Sequence, residues 1–333
     1  MNEKITIADI ARKVNVSPST VSRIINQKGK YTEETIDKVQ EAIQELGYSP
    51  NIVAKTLRSK KSNLVGIMLS DITNDFFNSL ADNLVRELIS YDFSPVVCVT
   101  YDDEIKEARY SRMLASLNAS GVIYILKGTP VNPVCANIPS VFIGNTIETT
   151  NTSMNIQFDI VGGSKKATEE LISVGCRRIL YLSSSRKRNS HVGRFLGYQQ
   201  ALWESGIELD ERLIATTSNE LNHRVPDVLD KMLNDQILFD GVLANTVASA
   251  VEVISYLKAK GFQVPRDIKV ISFENGRSAE LYDPSISAIG MDPVSTSKSA
   301  AEYLRNVIEG EQAGSQIARI PATIYKRDST QRV

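Results

Sequence analysis

Apolar positions follow two rhythms along this chain, and the change falls near residue 61. Upstream the spacing is helical and the segments are short. Thr6 through Lys13 predicts a helix, with Thr6 as N-cap and Asp9 three residues later closing a capping box. Val14-Asn15-Val16 interrupts it, and Asn15 suits a turn. Ser17 caps a second helix whose first position is Pro18, where a missing N–H costs nothing. Val21, Ile24 and Ile25 form its apolar face, which leaves Ser19, Thr20, Ser22, Arg23 and Asn26 pointing elsewhere. A third helix starts at the cap Thr32, carries Glu33 and Glu34 where a helix N-terminus favours anions, and stops at Gly47. Its buried stripe is Ile36, Val39, Ile43 and Leu46.

From Ser62 onward short apolar runs alternate with longer amphipathic stretches. The runs are Leu64–Leu69, Pro95–Val99, Gly121–Leu126, Ser140–Ile143, Ile179–Leu182, Gly241–Ala244 and Ile268–Ser272. The helical stretches are Phe76–Ile89, Ile105–Leu117, Val161–Val174, Gly193–Glu204, Ala248–Lys260 and Val294–Ile308. Alternating β and α at this spacing predicts parallel sheets covered on both faces. Residues 62–333 are too many for one such sheet, so two Rossmann-like lobes are expected, with a ligand between them near the carboxyl ends of the strands.

Composition changes the picture in one respect. The chain is 42% hydrophobic and 23% charged, which excludes disordered and collagenous classes, and its 38 Lys+Arg nearly cancel its 39 Asp+Glu. Residues 1–61 nevertheless hold eleven bases against seven acids, leaving the remainder with 27 bases and 32 acids. A basic head on a mildly acidic body predicts a polyanion-binding N-terminal module. Two short helices with a three-residue turn, backed by a third, fit a helix-turn-helix with its second helix in the major groove. An ordinary helical hairpin with a solvated face fits the same spacing.

At residue level the resemblance is specific. Thr6-Ile7-Ala8-Asp9-Ile10-Ala11, Val16-Ser17-Pro18-Ser19-Thr20-Val21-Ser22-Arg23 and Glu45-Leu46-Gly47-Tyr48-Ser49-Pro50-Asn51 strongly resemble the lac repressor (LacI/GalR) family of bacterial transcription regulators. The resemblance implies a DNA-binding head whose contacts are Thr6, Ser17, Pro18, Ser19, Thr20, Ser22, Arg23, Asn26 and Tyr31. It makes residues 49–61 a hinge helix that folds on operator DNA, with Asn51, Ala54, Lys55 and Leu57 in contact and Leu57 as the minor-groove wedge. Lys55 stands where the family usually has Arg. Read without the resemblance, these residues are a marginal helix or a plain charged linker.

The resemblance extends over the body, which the family shapes like a periplasmic sugar-binding protein. Asp71-Ile72-Thr73-Asn74-Asp75-Phe76-Phe77 matches the loop after the first strand, although Asp75 occupies the usual Pro. Gly193-Arg194-Phe195-Leu196-Gly197-Tyr198 matches an arginine-bearing helix start, and Val264-Pro265-Arg266-Asp267-Ile268 and Arg327-Asp328-Ser329-Thr330 are near the family pattern. Thr246 replaces an Asp after Ala244-Asn245, Ser272-Phe273-Glu274-Asn275 stands for Gly-Phe-Asp-Asp, Cys176 replaces a His, and Gly144 stands where one member has a ligand-binding Asp. The effector contacts implied are Phe76, Phe77, Arg194, Asn245, Phe273 and Glu274. A buried Arg with an amide suits sugar hydroxyls or a carboxylate, and the three aromatics could offer apolar faces to a sugar ring, although an aromatic in such a fold is more often core.

Enzyme readings find no support in the residues. His191 and His223 lie in no metal-ligand spacing, and G-x-S-x-G, Walker and H-E-x-x-H patterns are missing. Gly162-Gly163 opens a helix without the dinucleotide-binding glycine pattern, Ser183–Arg188 reads as a solvated basic loop, and Trp203 beside Leu202 and Leu196 reads as core. Cys98, Cys135 and Cys176 are too far apart for a zinc knuckle and read as buried thiols. No apolar run approaches the ~18–20 residues of a membrane span. The N-terminus lacks the apolar core of a signal peptide, so a cytoplasmic protein is expected. The expected domains are 1–48 (head), 49–61 (hinge), 62–160 with 290–320 (first lobe) and 161–289 with 321–333 (second lobe).

The function expected is a repressor released from double-stranded palindromic operator DNA by a small sugar-like effector, with no cofactor or metal. Alternatives are a catabolite-control regulator answering to a phosphorylated carrier protein, and a sugar-binding transport protein, which the basic head argues against. A two-fold homodimer is expected, since one head covers few base pairs and Val333, three residues past Thr330, leaves no room for a tetramerising leucine tail.

Overall fold

The structure is a computed structural model that describes residues 5–25, 29–48, 62–125, 138–144, 153–183, 189–217, 224–311 and 316–331, with backbone only at 189–191. The hinge contacts Asn51, Ala54, Lys55 and Leu57, and Asn26 and the 184–188 loop, lie outside those residues. The chain divides into two units, Met1–Lys60 and Lys61–Val333.

In the head, α1 (Ile7–Lys13), α2 (Pro18–Ile25) and α3 (Glu33–Leu46) form as the pattern predicts. The Thr6 amide and hydroxyl both donate to the Asp9 carboxylate, at 2.9 and 2.6 Å, which fixes the start of α1. Asn15 takes the left-handed turn at φ 53°, and Ser17 Oγ accepts from Thr20 N at 3.1 Å to cap α2. Gly47 ends α3 at φ 62°. Ile10, Ala11, Val21, Ile24, Val39 and Ala42 are buried together, with Ile25, Ile36, Ile43 and Leu46 packed around them. Ala42 is the one buried position of α3 outside the expected stripe.

Among the described residues the second unit contains two six-stranded sheets. The first-lobe strands β1 (Leu64–Leu69), β2 (Ser94–Val99), β3 (Gly121–Ile125), β4 (Ser140–Ile143), β5 (Ser153–Phe158) and β11 (Gln316–Ile320) pair in the order β11-β5-β4-β3-β1-β2, all parallel. The second-lobe strands β6 (Ile179–Ser183), β7 (Ile214–Thr216), β8 (Gly241–Ala244), β9 (Lys269–Phe273), β10 (Ser287–Gly290) and β12 (Thr323–Tyr325) pair in the order β12-β10-β9-β8-β6-β7. Here β12 runs antiparallel to β10, a departure from the all-parallel expectation. Only Pro321-Ala322 separate β11, in the first sheet, from β12, in the second, so the chain enters the second sheet straight from the carboxyl end of β11, with no helix to carry it back to the end at which the parallel strands begin.

Both sheets are double-sided. Val65, Ile67, Leu69, Ile123, Ile125, Val141 and Ile143 face α4 (Asp75–Ser90) and α11 (Pro293–Glu309), while Met68, Val122, Tyr124 and Phe142 meet Leu114 of α5 (Glu104–Ser116) on the other face. Residues of one strand thus alternate between two apolar layers, which is why these strands read as continuous apolar runs. In the second lobe Leu180, Leu182, Val242 and Val270 face α8 (Val225–Asn234) and α9 (Val247–Ala259). Tyr181, Leu243, Ile271 and Phe273 face α6 (Ile160–Ser173) and α7 (Asn189–Glu204).

One packing expectation is overturned. Trp203 is 80% exposed and Leu196 49% exposed, although Leu202 is buried. At about 100° per residue Trp203 falls on the far side of α7 from Tyr198 and Ala201, which are buried. The closing Arg327–Thr330 motif is structural: Ser329 Oγ donates to Val270 O at 2.6 Å and accepts from Ser287 N at 2.8 Å, sewing the chain end to β9 and β10.

Candidate functional site

In the head, the outward face of α2 is set by its buried one. Val21, Ile24 and Ile25 turn inward, which puts Pro18, Ser19 and Arg23 at the surface, with Thr20 and Ser22 half-buried at its margins. Ser17 Oγ pairs with Ser19 Oγ at 2.7 Å and Thr20 Oγ1 at 2.8 Å, a hydroxyl cluster at the helix N-terminus of the kind that suits phosphate oxygens. Arg23 makes no ion pair among the described residues, so its guanidinium remains available to a groove. Thr6 is exposed with its hydroxyl committed to Asp9, and Tyr31 is half-buried against the head core.

Charge on the head is segregated. Glu33, Glu34, Asp37, Glu41 and Glu45 all lie exposed on the side of α3 away from the core. Lys38 and Lys13 pair with Glu34 and Glu45 and neutralise part of that face. A polyanion is therefore turned away from α3 and towards α1 and α2.

In the body, four of the six expected effector residues converge where the strand order reverses. Arg194 stands on α7 after β6, Asn245 follows β8, Phe273 ends β9 and Glu274 follows it. The β6/β8 boundary is the topological switch point of the second sheet, and the carboxyl ends of its strands open there. The Arg194 guanidinium lies 4.3 Å over the Phe273 ring, donates from Nη1 to Asn245 O at 2.9 Å, and approaches Glu274 Oε1 at 3.5 Å. Arg194 Nε and Asn245 Oδ1 are buried and have no hydrogen-bond partner in the described structure. An unpaired donor and an unpaired acceptor on two residues joined by a hydrogen bond match a ligand hydroxyl, which both accepts and donates. Beneath them, burial pushes the Tyr181 phenol up to about 12, against the opposing pull of Arg194, so it stays a neutral wall.

Phe76 and Phe77 are placed differently. Their rings, 5.8 Å apart, count among the buried side chains of the first-lobe core with Leu80 and Leu84. One residue outside the expected set joins the site: Asn74 Nδ2 donates to Glu274 Oε2 at 2.8 Å. Thr216 Oγ1, at the end of the edge strand β7, is also buried without a partner among the described residues. The Asn74 signal is present in the first-strand loop motif; nothing in the sequence marks Thr216, because β7 is three residues long. The departures from the family pattern keep local roles. Thr246 Oγ1 accepts from Ser249 N at 3.1 Å and caps α9 as an Asp would. Cys176 is buried, its thiol pushed up to about 12 by desolvation, with Sγ 3.4 Å from Asp240 O.

Comparison with known proteins gives these arrangements a context. Residues 6–51 match the model of bacterial regulatory proteins of the lacI family, and residues 168–330 match a periplasmic binding protein-like domain. The chain is 27% identical over 329 residues to the HTH-type transcriptional regulator RegA of Clostridium saccharobutylicum, covering 98% of this chain and 99% of that one. It is 27% identical over 338 residues to catabolite control protein A of Priestia megaterium, again covering 98% and 99%. Among solved structures, the lac repressor dimer bound to operator and the anti-inducer ONPF superposes with a TM-score of 0.82 at 23% identity, covering 99% of this chain and all of that one. A complex of the transcriptional regulator CelR with cellobiose gives 0.69 at 24% identity, covering 98% and 99%. No helix among the described residues is long and apolar enough to cross a membrane.

Proposed function

For a chain that belongs to the lacI family of DNA-binding bacterial transcription regulators, we propose the role of a cytoplasmic repressor, dimeric on a palindromic operator, that a small neutral sugar releases. The observation that carries the effector reading is the buried, unpartnered pair Arg194 Nε and Asn245 Oδ1. Leaving such atoms unmatched costs ~1–3 kcal/mol each, which a ligand hydroxyl recovers. Phe273 adds an apolar surface beneath the guanidinium, and Glu274 offers acceptors for a second hydroxyl.

On the DNA side, Arg23 would read a base edge while Ser17, Ser19 and Thr20 hold phosphate. Asn51, Ala54, Lys55 and Leu57 would act in the minor groove as hinge contacts. Residues 49–61 join the head to β1, so a change in the angle between lobes can alter the spacing of paired heads in a two-fold dimer. The coupling requires only that the sugar bind one lobe arrangement better than the other. The expected domain boundaries at 160/161, 289/290 and 320/321 would put the three lobe-to-lobe crossings at the first residue of α6, before the last residue of β10, and between β11 and β12.

The test is a thermal-shift screen of the full chain against pentoses, hexoses and disaccharides, followed by selection of its binding site from random duplex DNA. A sugar at a hundred times its Kd should stabilise the protein by ~2.7 kcal/mol and weaken binding to the selected duplex. If no carbohydrate shifts the melting temperature, the sugar reading is wrong. A second reading, a catabolite-control regulator answering to a phosphorylated carrier protein, draws on the likeness to catabolite control protein A. It requires DNA affinity to rise with the protein partner and to ignore every sugar.

A further inference from the structure

Two consecutive side chains at the start of α4, in the first lobe, are bonded to the second lobe. The Asn74 amide serves two partners: Oδ1 accepts from Phe77 N at 3.0 Å and caps α4, while Nδ2 donates to Glu274 Oε2 at 2.8 Å. Asp75 Oδ2 accepts from Ser278 N at 2.9 Å, at the first turn of α10 (Arg277–Leu281). That helix begins at Gly276, which has no side chain to cap it, and a Cβ at Gly276 would stand 2.5 Å from the Asp75 Cβ. Asp75 therefore fills the place of a cap from the other lobe.

Glu274 sits between these contacts in the left-handed region, at φ 69°. A glutamate is disfavoured there unless its surroundings hold it. Its carboxylate is held on one side by Asn74, at 2.8 Å, and on the other faces Arg194, at 3.5 Å.

We infer that Asn74 and Asp75 form a clasp between the lobes, which holds Glu274 against Arg194 and keeps the cleft closed before any ligand arrives. Asn74 and Asp75 are positioning residues, acting through Glu274 and α10. The Asp75 half of the clasp depends on the carboxylate at that position, since a Pro there would have no side-chain acceptor to offer Ser278 N. A sugar entering beside Arg194 and Asn245 would find Glu274 already aimed; this consequence rests on the effector reading above, whereas the clasp does not.

Hydrogen–deuterium exchange of the unliganded full chain tests it. Asn74→Asp keeps the α4 cap, because a carboxylate accepts from Phe77 N as well as an amide does, but it replaces the donor facing Glu274 with a like charge. Exchange across residues 274–281 should quicken about tenfold, while exchange across 76–80 stays at the wild-type rate. Asp75→Ala should quicken the Ser278 amide about fivefold, and Asp75→Asn, whose amide oxygen still accepts, should restore most of the protection. Exchange at 274–281 within twofold of wild type in both Asn74→Asp and Asp75→Ala would overturn the clasp. So would an equal rise at 76–80, which would mean that α4 itself had loosened.

Cellobiose and D-ribose serve as probes for the consequence. Either sugar, if it stabilises the wild type, should bind Asn74→Asp at least about tenfold more weakly. If neither the two probes nor the wider sugar screen stabilises the wild type, the effector reading fails while the exchange result still decides the clasp.

Discussion

Gly197→Ala tests the packing that aims Arg194. Gly193, Gly197 and Ala201 recur every fourth residue along the face of α7 that lies against α6. A Cβ at Gly197 would stand 2.2 Å from the Val161 carbonyl oxygen, 2.7 Å from Ser164 Cβ and 2.8 Å from the Lys165 nitrogen. Comfortable separations of such atoms are about 3.5 Å, so α6 and α7 would have to move apart by about 1 Å. Overpacking of this kind costs ~1–3 kcal/mol, and the upper end applies because two of the three obstacles are backbone atoms with no rotamer to escape into. At ~2–4 °C per kcal/mol for a domain of this size, the melting temperature should fall by about 6–12 °C.

Arg194 lies three residues earlier on the same helix, so the same displacement should draw its guanidinium away from Phe273 and Glu274 and weaken any effector that uses it. The assay is a circular-dichroism melt of the full chain, with Gly206→Asn as the control. Gly206 has φ 67° and no atom within 4 Å of its added Cβ, and Asn tolerates that backbone, so the control should melt near wild type. A Gly197→Ala protein melting within about 2 °C of wild type would refute the close-packing argument.

Other consequences are checked separately. Arg23→Ala should cost ~1–3 kcal/mol on a selected duplex and relax preference at one position per half-site; an equal loss on random duplex would assign Arg23 to phosphate. Affinity for DNA should fall steeply with salt, by ~0.9 log units per tenfold salt for each phosphate neutralised, measured by fluorescence anisotropy. Arg194→Lys keeps a charge for Glu274 but loses the Nε donor and the fork; it should weaken a bound sugar about 10–100-fold with DNA affinity unchanged, and calorimetry showing wild-type sugar affinity would remove Arg194 from the site. Asp210 is held down at about 2, chiefly by its hydrogen bond to Arg212 and further by Arg178. Its contribution is present above the ordinary carboxylate range and is lost as pH falls from about 4 through about 2, so Asp210→Asn should flatten the decline of the melting temperature over that interval.

The sequence determined whatever depends on local period and local chemistry. The three head helices, their caps at Thr6 and Ser17 and the stop at Gly47 were legible because an amphipathic face and a cap are written in neighbouring residues. The same holds for β1, β4 and β8, buried on both faces and therefore continuous apolar runs with sharp ends. Short or polar strands were not legible. β10 reads Ser-Ala-Ile-Gly and is a strand only because β9 and β12 flank it, and β7 and β12 have three residues each. Trp203 shows the converse error: a large apolar residue next to Leu202 has no means of declaring, from sequence, which side of the helix faces the sheet.

At the site the sequence named Arg194, Asn245, Phe273 and Glu274 through their motifs, but their meeting depends on strand order, a property of pairing between strands 28 and 62 residues apart, as Gly241 pairs with Lys269 and Ile179 with Gly241. Phe76 and Phe77 stood in the same motif as Asn74 and turned into the first-lobe core, because the first turn of α4 has one face on the sheet and the other on the cleft. Which of the four adjacent side chains from Asn74 to Phe77 cross to the other lobe was decided by that helix's orientation on its sheet. Residue spacing fixes the faces of a helix relative to each other; only the packed structure fixes which face meets which partner.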